Sequence, residues 1–536
     1  MSLSLETMKK WRWDLIGVSA TALLVRVAAT SPSAYFLQID TAAQDFMALA
    51  WTRGCWEVLT EKIFPVLLLA PLFKMFGPSP YWETFLLAIA ATISTATAYE
   101  LSRLISGSKL AGIIAVLLIL ALPALQFYNR TYFGYLIPCS LVGWLAAHHR
   151  RWGWAGLSFG LVAITYFVSL PVAGLSVLAV MIIYLRRETW RNWLVFISAG
   201  ILPSVIVEAL FFFYMGHIYP FIWTRLTFGL IWRLSGITKA LSHSNWLWLI
   251  QTTVGSNGWV ISILLTTGLL APFVLRRHKT GLAFSLTSLS IGVFYLLQAG
   301  LGRAPVVPRM LAASYPFWAI SASVVLARGT TLAPPQLRRA TAGLMVIGLW
   351  IAALQTSFYI REFTQTVYPQ LEQWFIRAAQ EHRPVRYQGN VRFALFFSQI
   401  YGVETLVNDK RWITDDNPEQ AVLIFSSNYP PHLSSDNLSR DKYIVTVAET
   451  NTPSDLWYPD LASQAETPRR FELWWPTSPS KTPIKPDTPP DAAHDAAIYY
   501  SGSGCLTPPV YSDGDRPRTL HFYQLVWKKI TGTYGK

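Results

Sequence analysis

Along the first 360 residues, apolar side chains come in long blocks separated by short polar turns. At 1.5 Å per residue, a block of about twenty residues crosses a hydrocarbon core roughly 30 Å thick. About eleven spans are expected on this measure, near residues 13–30, 84–106, 109–127, 132–148, 153–168, 170–186, 193–215, 257–275, 282–300, 309–328 and 341–358. The stretch 153–186 is divided only by the Ser169-Leu170-Pro171 corner. No small-residue cleavage site precedes the polar stretch after the first block, and Trp11 and Trp13 resemble interfacial anchors, so that block reads as a retained span. Between the first two spans, the run Ile63-Phe64-Pro65-Val66-Leu67-Leu68-Leu69-Ala70-Pro71-Leu72-Phe73-Lys74-Met75-Phe76-Gly77 is too short to span comfortably. It predicts a helix lying along the interface, with Pro65 near its first turn and Gly77 as its stop.

Beyond residue 360 the pattern changes to short apolar runs among polar residues. Leu371 to Gln380 and Val391 to Gly402 have helical spacing, while Val385 to Gln388, Val403 to Asn408 and Ala421 to Ser426 read as strands. This alternation predicts a small α/β domain over residues 361–536. Residues 475–490 hold six prolines and read as an extended strap, followed by strands at 497–500 and 520–527. The expected fold is thus an α-helical polytopic membrane module over residues 1–360 with a small carboxy-terminal α/β domain.

Composition agrees with a membrane protein, since 52% of the 536 residues are hydrophobic and only 14% are charged. The net charge of +14 belongs to the membrane half: residues 1–360 carry 26 Lys/Arg against 10 Asp/Glu, and residues 361–536 carry 18 against 20. The excess lies in loops beside spans rather than on a soluble basic face, which argues against a nucleic-acid partner. Basic residues fall in every second connection: Lys9, Lys10 and Arg12; Arg103 and Lys109; Arg150 and Arg151; Arg186, Arg187 and Arg191; Arg276, Arg277 and Lys279; Arg328, Arg338 and Arg339. They mark the cytoplasmic side. The amino terminus is then cytoplasmic, and residues 31–83, 216–256, 301–308 and the tail lie outside. Cys55, Cys139 and Cys505 are too scattered for a redox or metal motif. The nine histidines show no ligand spacing, so no metal site is read from them. The absence of a P-loop or GxGxxG motif disfavours a nucleotide-sugar donor.

The outer loop 31–83 carries Asp40, Asp45, Glu57, Glu61 and Lys62 at the depth of lipid phosphates. A carboxylate there can take the proton of a hydroxyl or amine acceptor, and a cation can compensate the charge growing on a departing phosphate. Those are the requirements of sugar transfer from a lipid carrier.

Arg26-Val27-Ala28, Asp40, Glu61-Lys62-Ile63-Phe64-Pro65 and Leu72-Phe73-Lys74-Met75-Phe76-Gly77 together resemble the amino-terminal signature of the C-type (GT-C) integral-membrane glycosyltransferases. The aminoarabinose transferases and the protein O-mannosyltransferase-like proteins are the branches most similar. Pro308-Arg309-Met310-Leu311-Ala312-Ala313-Ser314-Tyr315-Pro316 resembles the family's late Arg-Tyr-Leu-Leu-Pro-x-x-Pro motif, and the tail from Tyr368 resembles its small extracytoplasmic domain. The resemblance implies an inverting transfer from a polyprenyl-phosphate sugar to a lipid, glycan or protein acceptor at the outer face of the cytoplasmic membrane. It makes Asp40 the acceptor-facing acid, Lys62 a polyprenyl-phosphate contact and Arg309 the late-span arginine. It also implies a divalent cation, which some members hold beside their acids.

The chain departs from the pattern at two places. The acid expected after Asp40 is Thr41, and the turn after the third span reads Asn129-Arg130-Thr131-Tyr132 where many members carry another acid. Asp45, one helical turn on if residues 41–51 are helical, is the candidate substitute. Arg130 and Arg309 flank spans at the depth of a donor phosphate, with interfacial snorkelling as the other reading. Glu208, inside the seventh span, is the intramembrane candidate. A flippase for polyprenyl-linked glycans and a catalytically silent partner subunit are the alternative functions. A flippase predicts internal repeats and functional charges within its spans, but no repeat is seen and only Glu208 qualifies, while the lost acids at Thr41 and around Asn129 support the silent subunit.

Overall fold

The computed structural model describes residues 5–30, 39–54, 63–131, 133–165, 170–215, 245–301, 311–363, 365–389, 391–407, 421–426, 443–449, 470–477 and 498–500. The membrane half is helical: α1 (Leu5–Ala28), α2 (Ile39–Thr52), α3 (Ile63–Phe76), α4 (Tyr81–Ser106), α5 (Lys109–Ala121), α6 (Pro123–Tyr128), α7 (Phe133–His148), α8 (Trp152–Thr165), α9 (Leu170–Ile183), α10 (Trp190–Met215), α11 (Trp248–Asn257), α12 (Trp259–Thr266), α13 (Lys279–Gly300), α14 (Tyr315–Thr330) and α15 (Arg338–Phe363). Among the described residues, four stretches, Tyr81–Ser106, Trp190–Leu210, Lys279–Gly300 and Arg338–Glu362, are long and apolar enough to cross a membrane. The helices covering several other expected spans are shorter.

Local chemistry sets the breaks. The expected span 109–127 is two helices, because Leu122 is extended (φ −87, ψ 104) ahead of Pro123, whose ring disfavours a helical residue before it. Gln126 spans the break by donating its amide to the Leu120 carbonyl at 2.9 Å. The amphipathic run forms α3 as expected, and Gly77 stops it with φ +86, a conformation that any Cβ would strain. α8 and α10 cross closely through glycines: a Cβ at Gly156 would meet the Phe196 carbonyl oxygen at 2.1 Å, and one at Gly160 would meet the Gly200 carbonyl oxygen at 2.2 Å. Small residues let helix backbones approach where lipid supplies no hydrophobic drive.

The tail contributes α16 (Tyr368–Gln380), α17 (Val391–Tyr401) and a six-stranded sheet. Its strands are β1 (Val385–Gln388), β2 (Thr405–Val407), β3 (Val422–Ser426), β4 (Tyr443–Glu449), β5 (Arg470–Pro476) and β6 (Ile498–Tyr500), in the order β4-β5-β3-β1-β2-β6. β1 pairs in parallel with both β2 and β3, and the outer pairings are antiparallel. β4 and β5 were not expected, and the strap expected from residue 475 begins inside β5. Trp474 and Trp475 are buried there, and Pro476 ends the strand where a missing N–H is tolerated. The strand expected at 520–527 lies outside the described residues.

Two cores organise the molecule. One fills the bundle through α4, α5, α7, α13 and α14. The other joins α2 and α3 to the tail: Phe46, Trp51, Val66 and Phe73 pack with Phe375, Phe393, Phe396 and Phe397. α2 and α3 therefore lie between the bundle and the tail.

Candidate functional site

α2 carries both acids singled out in the outer loop. Asp40 stands in its first turn, with its side chain outside the described residues. Asp45 is five residues further on, about 140° around a helix of 3.6 residues per turn, so the two do not share a face. Four residues separate Asp45 from Thr41, which puts Asp45 on the face where the family pattern has its second acid. Every residue from Gln44 to Trp51 is buried.

The Asp45 carboxyl is 1% exposed, and neither of its oxygens receives a hydrogen bond from an amide or hydroxyl. The carboxyl of Glu83, in the first turn of α4 and itself 4% exposed, lies within electrostatic reach of it. A hydrogen bond between two carboxyls requires a proton on one of them. Burial pushes Asp45 well above the usual carboxylate range, against a smaller lowering effect from the neighbouring Glu83. Glu83 lies where the unpaired N–H groups opening α4 favour negative charge. Tyr135, in the first turn of α7, is buried within electrostatic reach of both acids, and its ring meets Phe64 of α3 edge-on at 6.1 Å. The close fit of Gly134 fixes this turn, since a Cβ there would meet the Asn129 carbonyl oxygen at 2.4 Å.

A second polar cluster joins the ends of α1 and α6. Arg26, 3% exposed in the last turn of α1, donates from Nη1 to the Gln126 carbonyl at 3.5 Å. Arg130, just past α6, donates from Nε to the same carbonyl at 3.2 Å and from Nη1 to Thr30 Oγ1 at 3.0 Å. Thr30 in turn donates to the Arg26 carbonyl at 2.7 Å. Arg26 Nε and Nη2 and Arg130 Nη2 are buried without a partner, as are both amide atoms of Asn129. Burial pulls the Arg130 guanidinium down to about 10, which leaves it charged at neutral pH. The described residues supply neither arginine with a carboxylate.

The structure thus brings Asp45 together with Glu83, and Arg130 together with Arg26. Glu208 is half-buried on α10, next to Val207 of the core that α2 and α3 share. Lys62, Arg309 and most of the loop 216–256 lie outside the described residues. Sequence reasoning did not select Glu83, Tyr135 or the pairing of Arg26 with Arg130. The signal for Glu83 was an acid just after Pro80 at the start of a long apolar helix. Nothing local links Arg26 to a residue 100 positions later. As to the divalent cation, a hard cation takes six or more oxygens, and no three His, Cys, Asp or Glu residues gather among the described residues. The described acids, Asp45 and Glu83, supply too few ligands for such an ion by themselves.

No family model matches the chain, and no curated protein sequence matches it. Among solved structures, the crystal structure of ArnT from Cupriavidus metallidurans bound to undecaprenyl phosphate aligns with a TM-score of 0.55 at 13% identity, covering 88% of this chain and 99% of that one. The chain has the fold of ArnT. The apo-state ArnT structure aligns with a TM-score of 0.55 at 12% identity, over 89% of this chain and 100% of that one. Because the alignment runs almost the full length of ArnT, the shared architecture includes both helices and tail. The fold implied by the motifs around Asp40 and Lys62 is the one observed.

Proposed function

We propose that this protein is a glycosyltransferase that moves a sugar from a polyprenyl-phosphate carrier to a lipid, glycan or protein acceptor at the outer face of the cytoplasmic membrane. The observation that carries the reading is the buried Asp45–Glu83 pair in a fold shared with a solved ArnT structure bound to undecaprenyl phosphate. A carboxyl pair sharing one proton holds one negative charge at neutral pH and can take a second proton. Such a pair is suited to accept the proton of an acceptor hydroxyl or amine as that atom attacks the anomeric carbon. Glu83 supplies the second acid that Thr41 and Asn129 do not, which weakens the case for a silent subunit.

In this mechanism Asp40 orients the acceptor, and Asp45 with Glu83 receives its proton. The bond from the anomeric carbon to the carrier's phosphate oxygen breaks as the new bond forms on the opposite face, so configuration inverts. The electron pair leaves on the phosphate, whose growing charge Lys62, Arg309 and Arg130 compensate. Purified protein incubated with polyprenyl-phosphate sugars and membrane acceptors tests this directly. Transfer by the wild type and its loss in Asp40→Asn and Asp45→Asn are expected. Equal turnover by wild type and variants removes these acids from the mechanism, and no turnover with any donor favours the silent subunit.

A further inference from the structure

α8 and α10 meet at Gly156 against Phe196 and at Gly160 against Gly200. The sequence offset is the same at both contacts, so the two helices run parallel and begin side by side. Side chains join the turns from which they start. Arg150 Nη1 lies 3.4 Å from Glu188 Oε1, and Asn192 donates to Glu188 Oε2 at 2.7 Å. Trp193 donates from Nε1 to the Leu185 carbonyl at 2.8 Å, tying α10 to the turn before it. This end of α10 is about 25 Å from Val207, which belongs to the core shared with α2 and α3. Residues 149–151 and 184–191 hold five arginines and one acid, Glu188. Arg150, Arg151, Arg186 and Arg191 are exposed, and among the described residues Arg151, Arg186 and Arg191 pair with no carboxylate. Arg150 closes α7 with φ +54, its N–H on the Ala147 carbonyl and that of Arg151 on the Ala146 carbonyl. Glycine ordinarily fills this place, because a side chain strains it. A large cation there costs stability and sets a charge at the turn. Beside the arginines, Trp154 and Trp190 are exposed, and an apolar strip through Leu194, Ile197 and Ile201 continues along α10.

We propose that the α7–α8 and α9–α10 turns together bind the headgroup of a phospholipid that carries two phosphates. Five arginines against one glutamate leave a surplus of four positive charges. Like charges gathered at a membrane boundary repel one another, and an anion placed among them relieves that repulsion. A headgroup with one phosphate offsets a small part of the surplus. Two phosphates on one molecule reach Arg151 on one turn and Arg191 on the other, and the second contact forms at high effective concentration once the first is made. The apolar strip on α10 then receives the acyl chains, a surface that an acidic soluble protein would leave uncovered. Exposed indoles at Trp154 and Trp190 suit the same headgroup depth. The general excess of basic residues on one side of a membrane explains the sign of the charge. It does not explain the strained placement of Arg150 or the joining of two turns through one glutamate. The site takes no part in sugar transfer and stands independently of the proposed function.

Full-length protein in a non-ionic detergent, titrated with cardiolipin, phosphatidylglycerol or phosphatidylcholine, tests the site, with bound lipid counted by native mass spectrometry. Cardiolipin is expected to bind about tenfold or more tightly than phosphatidylglycerol, and phosphatidylcholine more weakly than either. Arg151→Gln and Arg191→Gln each remove an exposed cation that has no carboxylate partner among the described residues, so both variants should fold, which melting curves check. Each should weaken cardiolipin binding about fivefold, the usual effect of one interfacial cation. The double variant should bind cardiolipin no better than the wild type binds phosphatidylglycerol. Arg276→Gln with Arg277→Gln removes the same charge from another basic turn and should change cardiolipin affinity far less. Equal losses in the two double variants would reduce the effect to net charge and overturn the site. So would equal affinity of the wild type for cardiolipin and phosphatidylglycerol, or undiminished cardiolipin binding by a folded protein lacking Arg151 and Arg191.

Discussion

Replacing Asp45 by Asn tests whether the buried acid pair holds a proton. In the folded protein, burial raises the Asp45 carboxyl above its ordinary value of about 4. Between that value and the raised one, the folded state holds a proton that the unfolded chain has released. Stability from this group is therefore full below the window and is lost as pH rises through it, at about 1.4 kcal/mol per pH unit. In a chain of this size the slope corresponds to a fall in Tm on the order of 1–2 °C per unit. Asn is isosteric and does not titrate, so Asp45→Asn should melt close to the wild type near pH 4 and progressively above it towards neutrality. Glu83→Gln should reduce the same slope, and the double variant should fall short of the sum because the two acids share one proton. In a transfer assay at neutral pH, Asp45→Asn should lower kcat by about a hundredfold or more, the usual effect of removing a general base. Parallel melting curves for wild type and Asp45→Asn from pH 4 to pH 8 would refute the shared-proton arrangement. A normal kcat in the variant would refute its catalytic use.

Three further outcomes follow from the packing. Gly160→Leu should lower Tm and the yield of folded protein sharply, because even a Cβ would sit 2.2 Å from the Gly200 carbonyl oxygen; unchanged melting would contradict the close crossing of α8 and α10. Phe396→Ala removes a fully buried ring lying 6.3 Å from Phe73, with an expected loss of about 3–5 kcal/mol and reduced transfer activity. A variant that melts normally would count against a common core of α3 and the tail. A reporter fused after residue 360 should be active only outside the cytoplasm, and cytoplasmic activity would reverse the proposed topology.

Much of the helical architecture was legible because long apolar blocks leave few alternatives: the helix stopped by Gly77 and the strand over Val385–Gln388 follow from local pattern. The misses have local causes of a different kind. Leu122 is apolar like its neighbours, so hydropathy ran through a break that Pro123 imposes. β5 was missed because both of its faces are buried, Trp475 in the core shared with α2 and α3 and Trp474 on the opposite face, so no alternation shows, and its last two residues fall in the proline-rich stretch; β4 carries exposed Ile444, Val445 and Val447 that blur its buried side. At the site, spacing along α2 supported Asp45, but its partner comes from α4 and was not readable from α2 alone. Arg26 read as part of the amino-terminal signature, and Arg130 as a phosphate-binding or snorkelling cation. Only the fold brings them to one carbonyl oxygen.

The tail is built into the position of the acids. A helix with every residue from Gln44 to Trp51 buried cannot be stable as an isolated segment at a membrane surface, because most of that burial is tertiary. α3 covers part of it, and α17 covers another part through Phe393, Phe396 and Phe397. The Arg53 guanidinium extends the contact by donating to the Gln399 carbonyl, across 346 residues of sequence. The surface of α2 facing the tail is thus fixed by groups that the bundle does not supply, and fixing it fixes the direction in which Asp45 meets Glu83. Water admitted along α2 would solvate the carboxyl, return it toward its ordinary value and remove the shared proton. On the proposed mechanism, the tail would thus act on the acids by keeping α2 dry.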